Sequence, residues 1–406
     1  MPDQIKSRYT AQPAMRVANV LFDDRFGGPQ KRVIAVARHL KAQGIETLLI
    51  LPCGSGGAGL EAKRNNVGVE RIQFGRIPRP RDVGKVLTWL IRIPRDVYRF
   101  RKAYLRKNVN MVHVNGAFFV APAIAAKISG LPLIWHLNDT IVPKRMARLF
   151  GVMVQFLADR CVVAAKAVAN HYGVAEGRYS VLYAPVDIKE GDSTKEYRIE
   201  AGRAPRIGLI ANWNPIKGLE YFVTGVSEAS KRSGLLLDMV FAGGRPDTHR
   251  QYSLEIDALI DSLGLRDSVH DLGFVGDVSE LMRTLDVLVL SSTSEACPMV
   301  VLEAMAAGVP VVASKVGGVP ELLEDRTDGA AGIIVPPCDS NAIAEGILML
   351  LREEGKRRAM GEVGYKRARA MFSTDYCVSG HLEVYRSVFR EKYQNTDTAR
   401  WLRKKE

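Results

Sequence analysis

Short apolar, β-branched runs alternate along the chain with longer stretches whose apolar residues recur every three or four positions. The run "MRVANVLF" (15–22) gives way to a loop, then to "KRVIAVARHLKAQG" (31–44), which has helical spacing and stops at a glycine. "ETLLIL" (46–51), "NMVHV" (110–114), "LPLIWHL" (131–137) and "DRCVVAA" (159–165) repeat the strand pattern, with alanine-rich helical stretches between them. This alternation predicts a parallel sheet covered by helices. The polar stretch "DIKEGDSTKEYRIEAGRAPR" (187–206) reads as a connection, after which the rhythm restarts. "RIGLIA" (206–211), "LDMVFAG" (237–243), "VHDLGF" (269–274), "DVLVLSS" (286–292), "VPVVAS" (309–314) and "AGIIVP" (331–336) predict a second set of strands.

The pattern thus predicts an α/β chain of two similar parallel-sheet domains, 15–190 and 207–373, joined by a linker at 191–206. Residues 1–14 read as a loose tail and 396–406 as a basic one. A last helix, at 374–395, comes after the second domain is complete and is expected to pack across both. A chain of 406 residues is too long for one ordinary core. Two such domains hold their ligand in the cleft faced by the carboxyl ends of their strands.

Composition narrows the classes. The apolar runs fall short of a membrane-spanning helix, and the polar N-terminus lacks the apolar stretch of a secretory signal. Cys53, Cys161, Cys297, Cys338 and Cys377 are scattered, with no CxxC pair and no Cys/His cluster. A reduced, cytoplasmic chain without structural zinc is expected. The net charge of +13 attracts phosphate, whether on a nucleotide, a nucleic acid or a lipid. Much of it lies in "RIPRPRDVGKVLTWLIRIPRDVYRFRKAYLRK" (76–107), with eleven Arg/Lys against two aspartates. Val83, Val86, Leu87, Leu90 and Ile91 have helical spacing there, and Pro94 is expected to start a second helix. Arg95, Arg99, Lys102 and Arg106 would share one cationic face, and Trp89 suits an interface. The stretch reads as a surface for anionic lipid, at the inner face of the membrane, with a plain solvated helix as the alternative. No nucleic-acid recognition motif accompanies it.

The densest chemistry is in "SEACPMVVLEAMAAGVPVVASKVGGVPELL" (294–323), where Glu295 and Glu303 flank Pro298. Glu295 falls in the loop after a strand. Pro298 suits the first position of a helix, Glu303 follows on its first turns, and Gly308 ends it. The N–H groups of Met299 and Val300 make that helix start an anion site. The order acid, anion site, acid matches the hydroxyls, diphosphate and ribose of a sugar nucleotide.

This stretch resembles the E-x7-E signature of retaining GT-B glycosyltransferases of family 4, including "EAMAAGVPVVAS" and "GGVPEL", and the resemblance runs from about residue 15 to about 390. It implies the GT-B fold: two Rossmann-like domains facing a central cleft, the first for the acceptor and the second for the nucleotide sugar, with a C-terminal helix crossing back. By this resemblance Glu295 would contact the donor sugar and Glu303 the ribose. Lys217, in "LIANWNPIKGLEYFVTG", matches the lysine that neutralises the diphosphate. Asn212 stands where the family commonly has arginine, with Arg245 as a candidate substitute. Gly27 and Gly28 would approach the donor phosphate or the acceptor, and Val275 would read the base. His136 matches the histidine that reaches the transferred sugar. Asp139, His113 and Asn115 are candidates for acceptor contacts. No Asp-x-Asp triplet occurs, so neither metal nor cofactor is expected. The implied activity is metal-independent, retaining transfer of a hexose-type sugar to a saccharide or lipid-linked glycan, by front-face displacement. An epimerase or phosphorylase on the same fold, and a catalytically silent sugar-nucleotide-binding scaffold, are the other readings.

Overall fold

The computed structural model describes residues 15–25, 27–54, 56–75, 82–117, 119–188 and 202–393. The two expected tails, residues 191–201 of the linker and residues 76–81 of the basic stretch lie outside the described residues.

The first domain is a seven-stranded sheet of order β3-β2-β1-β4-β5-β6-β7. Its strands are β1 (Met15–Val20), β2 (Ile45–Pro52), β3 (Gly68–Ile72), β4 (Met111–Asn115), β5 (Leu133–Leu137), β6 (Arg160–Val163) and β7 (Tyr179–Val181), and every pairing is parallel. The helices are α1 (Gly28–Ala42), α2 (Ala58–Arg64), α3 (Val83–Arg106), α4 (Val120–Ile128), α5 (Lys144–Leu157) and α6 (Lys166–Tyr172). The second domain is a six-stranded parallel sheet of order β10-β9-β8-β11-β12-β13. It comprises β8 (Arg206–Ile210), β9 (Asp238–Ala242), β10 (Val269–Asp271), β11 (Val287–Leu290), β12 (Val311–Ser314) and β13 (Gly332–Val335). With these go α7 (Leu219–Ser233), α8 (Arg250–Ser262), α9 (Ser279–Thr284), α10 (Met299–Ala306), α11 (Val319–Leu323), α12 (Ser340–Arg352) and α13 (Glu354–Met371). The central strands read as apolar runs because both faces of each sheet are covered. Trp135 and Trp213 are fully buried, one in each domain.

The chain then returns. The final helix, α14 (Thr374–Tyr393), packs on α1 and on the first sheet. Cys377, Val378, Val384, Tyr385, Val388 and Phe389 share a core with Met15, Val36, Leu40 and Ile134.

Three features differ from the sequence expectation. β3 and β7 were not expected from the pattern: "GVERI" is a half-exposed edge strand carrying charges, and "YSV" has only three residues. Pro94 does not start a helix. It lies inside α3, on the solvent side, while Trp89, Ile93, Val97 and Phe100 hold the other side against the domain. Losing one helical hydrogen bond at Pro94 is outweighed by that packing. Finally, α10 begins at Met299, and Pro298 occupies its N-cap.

Candidate functional site

In each sheet the strand order reverses at one point, between β1 and β4 and between β8 and β11. Ligands of open parallel sheets bind outside the carboxyl ends of the strands at such points. The candidate residues lie on the loops that leave these strands. Lys217 follows β8, and its ammonium donates to Glu295 Oε1 at 2.6 Å. Ser292 Oγ donates to the same oxygen at 2.8 Å. Two glycines let these loops meet. Gly218 has φ +60, and a Cβ there would lie 2.4 Å from Ser291 O. Gly317 has φ +49, and its Cβ would lie 1.6 Å from Glu295 O.

The second acid faces the first domain. Glu303, on α10, stands 3.7 Å from Lys31 Nζ on α1. Burial pushes its carboxyl above the usual range, and Lys31 opposes the shift only in part. A cavity of 310 Å³ opens beside this pair, lined among others by Lys31, Met299, Glu303, Gly276 and Asp277. Gly27 caps α1 and Gly28 is its first residue, and a Cβ on Gly28 would lie 3.4 Å from Met299 Sδ. The starts of α1 and α10 therefore meet across the cleft. Both bring N–H groups that lack intrahelical partners and the positive ends of their dipoles to one place. Glu303, Met299 and Gly28, with their chain neighbours Val300 and Gly27, thus lie where α10 meets α1, and Glu295 and Lys217 pair on the loops that leave β11 and β8.

Other predicted residues sit differently. His136 is fully buried, and its Nε2 lies 2.7 Å from the Arg32 guanidinium. It does not open onto the cleft. His113 stacks on His136 at 5.5 Å, and its Nδ1 pairs with the Tyr385 hydroxyl at 2.8 Å. Asn115 is fully buried and accepts from Arg32 at 2.5 Å. Neither is placed to touch an acceptor, because α14 and α1 cover that part of the sheet. Arg245 is no spare cation: it stacks on Trp213 at 3.7 Å and pairs with Asp257 and Asp271 at 2.6 and 2.7 Å. Asn212 Oδ1 accepts from Gly244 N at 2.9 Å, so its side chain stabilises its own loop. Val275 packs into the second core, and its neighbour Gly276 reaches the cavity. Asp139 lies at the end of β5, where burial raises its carboxyl above the usual range against a hydrogen bond from Tyr172 at 3.1 Å.

The histidine group sets a pH dependence. Burial first, then the Arg32 charge, holds His136 well below the usual imidazole value. Burial, His381 and Arg32 do so for His113, and burial brings His381 to about 4. The folded values lie below the unfolded one, so on acidification the unfolded chain takes up protons first. Stability from this source is whole above about pH 6.5 and falls as pH drops, for His381 down to about 4. Each group contributes a slope of up to about 1.4 kcal/mol per pH unit. Thermal melts should be level near neutrality and shift down steeply from about pH 6.5 to 5. A melting temperature unchanged over that range would mean the three rings are not neutral in the fold.

Several residues of the cleft escaped the sequence reading. Lys31 and Arg32 follow the quoted glycine pair but read as the polar side of a helix. Arg32 stands four positions before Val36, on the buried side, and this spacing was the available signal. Glu321, inside the "GGVPEL" text, crosses to the first domain. It accepts from Lys166 N and Ala167 N at 2.8 and 2.7 Å and from Tyr183 OH at 3.0 Å, capping α6. Thr140, beside Asp139, pairs with Ser294 Oγ at 3.2 Å and donates to Glu295 O at 3.1 Å. These contacts join the two domains.

Residues 26–190 match the model of the family described as Glycosyltransferase Family 4, and residues 195–367 that of Glycosyl transferases group 1. The two matches follow the two sheets and together span most of the chain. The chain belongs to the group 1 and family 4 glycosyltransferases. Among curated relatives, the chain is 33% identical over 133 residues to N-acetyl-alpha-D-glucosaminyl L-malate synthase of Bacillus anthracis, covering 33% of this chain and 34% of that protein. It is 30% identical over 267 residues to D-inositol 3-phosphate glycosyltransferase of Salinispora arenicola, covering 60% and 58%. The matched part spans 34% and 58% of these two relatives' lengths. In three dimensions it resembles HepE of Anabaena in complex with UDP (TM-score 0.74, 21% identity, 92% of this chain and 100% of that one). A glycosyltransferase of Rickettsia africae superposes with TM-score 0.76 at 18% identity, over 95% and 100%. These likenesses establish the GT-B architecture.

Proposed function

We propose that this transferase moves a hexose-type sugar from a nucleotide diphosphate to a hydroxyl of a saccharide or lipid-linked glycan, with retention at the anomeric carbon and without a metal. The observation that carries the reading is the meeting of the α1 and α10 starts between two acid–lysine pairs, Glu295–Lys217 and Glu303–Lys31. The diphosphate fits against the helix starts, where Lys217 turns from Glu295 to the departing phosphate. Glu303 accepts ribose hydroxyls, and Glu295 accepts hydroxyls of the sugar. Charge-assisted acceptance of this kind is roughly twice as strong as between neutral groups. The base lies toward Gly276 and Asp277. In front-face displacement the bond from the anomeric carbon to the phosphate oxygen breaks, and its electrons leave with the diphosphate. The acceptor oxygen bonds on the same face, and its proton passes to the leaving phosphate. His136, held behind Arg32, acts as a positioning group for the β5 end rather than as a sugar contact. That HepE has been crystallised with UDP and with UDP-glucose supports the donor class. The test is product analysis by NMR after incubation with UDP-, GDP- and ADP-hexoses and a panel of glycoside acceptors. An α-linked product from an α-linked donor is expected. A β-linked product would overturn retention, and bound nucleotide without turnover of any donor would favour the silent scaffold.

The transferase is also proposed to dock on anionic membrane through α3. None of the helices among the described residues is long and apolar enough to cross a membrane, but α3 has two apolar sides. Leu87, Leu90, Ile91, Pro94, Tyr98 and Leu105 are exposed and share one stripe about 100° wide. Arg92, Arg95 and Lys102 flank it on the exposed surface. The cationic face expected from sequence is partly spent: Arg106 pairs with Glu70, and Arg99 donates to Gln73 O at 2.8 Å. Trp89 is turned inward, against Gly75. On α5, Leu149, Val152 and Phe156 are likewise exposed. Leu87→Glu with Ile91→Glu should weaken binding to phosphatidylglycerol vesicles by at least about tenfold, since each buried aliphatic side chain contributes about 1.5–3 kcal/mol. Flotation assays check this, and unchanged binding would remove α3 from the contact.

A further inference from the structure

A second cavity, of 390 Å³, opens on the first domain's side of the cleft. Its size falls within the range of about 300–1,000 Å³ found for small-molecule sites. Phe22 follows β1, Phe119 follows β4, and Asp139 and Ile141 follow β5. Trp89 and Ile93 of α3 close the wall. The cavity thus lies at the carboxyl ends of three parallel strands, where such sheets bind ligands. Its polar groups are Asn138, Asp139 and, on α3, Asp96, which accepts from Gly75 N at 2.9 Å and lies within 4 Å of Arg95 and Arg99. Asn138 and Asp139 precede Thr140, which is bonded to the donor loop at Ser294 and Glu295. The rest of the lining is mostly aromatic and aliphatic. A saccharide filling the cavity would turn most of its hydroxyls to aromatic and aliphatic walls, with partners only at Asp96, Asn138 and Asp139, which is unfavourable, whereas a hydrocarbon chain would cover those walls without that cost. The helix that supplies Trp89 and Ile93 also carries the exposed stripe of Leu87, Leu90 and Ile91. One element therefore joins an outward apolar surface to an inward apolar cavity.

We infer that this cavity holds the aliphatic chain of an amphiphilic acceptor, with the acceptor's polar end, and its attacking hydroxyl, at Asp139 facing the donor sugar. The inference rests on the transferase reading and makes it narrower: free sugars are poor acceptors, and sugars carrying a hydrocarbon chain are good ones. In the group transfer the bond to the acceptor oxygen forms as the bond to the diphosphate breaks, and the hydroxyl proton leaves with the diphosphate. Asp139 is assigned orientation of the hydroxyl, not the proton.

Calorimetric titration of the full chain separates the two readings. The probes are methyl, n-octyl and phenyl β-D-glucoside, each below its micelle concentration, and UDP, GDP and ADP. Octyl glucoside should bind at least tenfold tighter than methyl glucoside. Ala121→Trp, which places an indole into the cavity from α4, should abolish that preference while nucleotide binding stays unchanged. Phe22→Ser, at a half-exposed position, should weaken it if the tryptophan variant does not fold. Equal binding of octyl and methyl glucoside, with nucleotide bound, would overturn the cavity assignment and leave the transferase standing. An octyl preference that both variants keep would also overturn it, placing the chain elsewhere. Phenyl glucoside binding as well as octyl would reassign the cavity to an aromatic group. An octyl preference without binding of any nucleotide would support the cavity and sink the transferase reading.

Discussion

Lys217→Ala should slow sugar transfer by about 10²–10³-fold, the cost typical of removing one preorganised group that stabilises developing charge. Lys217 supplies the charge of the loop after β8, because Asn212 brings none and Arg245 is neutralised by Asp257 and Asp271. The loss should fall on kcat more than on KM, since the charge on the leaving diphosphate grows in the transition state. Stability should change little, because the Lys217–Glu295 pair is partly exposed and such pairs contribute about 0–1 kcal/mol. Lys217→Arg should recover part of the rate. Steady-state kinetics and melts on the three proteins decide it. An alanine variant with unchanged kcat would place the diphosphate elsewhere.

Gly317→Ala should be as damaging by a different route. The left-handed backbone there costs a side-chain-bearing residue about 1–2 kcal/mol, and the new methyl would lie against Glu295 O, which must move. Glu295 is positioned by contacts with Lys217, Ser292 and, through its carbonyl, Thr140. Displacing that loop breaks the two domains' contacts at Thr140 and shifts the Glu295 carboxylate. The expected result is a lower melting temperature together with a loss of transfer larger than the melt would explain. Gly276→Ala, where a Cβ meets open space, is the control and should melt as the wild type does. A Gly317→Ala protein with full activity would show that Glu295 needs no such support.

The sheets were legible because buried parallel strands are continuous apolar runs, as in "DVLVLSS" and "VPVVAS". β3 and β7 were not, because edge strands mix charged and apolar residues and leave no such run. The places of Glu295, in the loop after β11, and Glu303, on α10, were legible from their spacing around Pro298 and the helix that follows. What spacing could not show was which side chain meets which across the cleft. Lys31 reads as a surface lysine until α1 is set against α10, and Glu321 as a helix residue until α6 is found below it. His136 and His113 were misplaced for the same reason. The end of a strand faces the cleft only where nothing covers it, and here Arg32 and α14 do. On α3 the apolar positions were found, but their side was not. Leu87, Leu90 and Ile91 face outward, while Trp89 faces the apolar cavity.

The most direct test of the donor site is a thermal-shift comparison of UDP-, GDP- and ADP-sugars on the wild type and on Glu303→Ala. Glu303 lines the cavity at the meeting of the two domains, and at a hundredfold excess over Kd a bound ligand adds about 2.7 kcal/mol of stability. A clear upward shift with one nucleotide class, lost in Glu303→Ala, is expected. A shift that survives unchanged in the variant, or no shift with any of the three, would contradict that donor site.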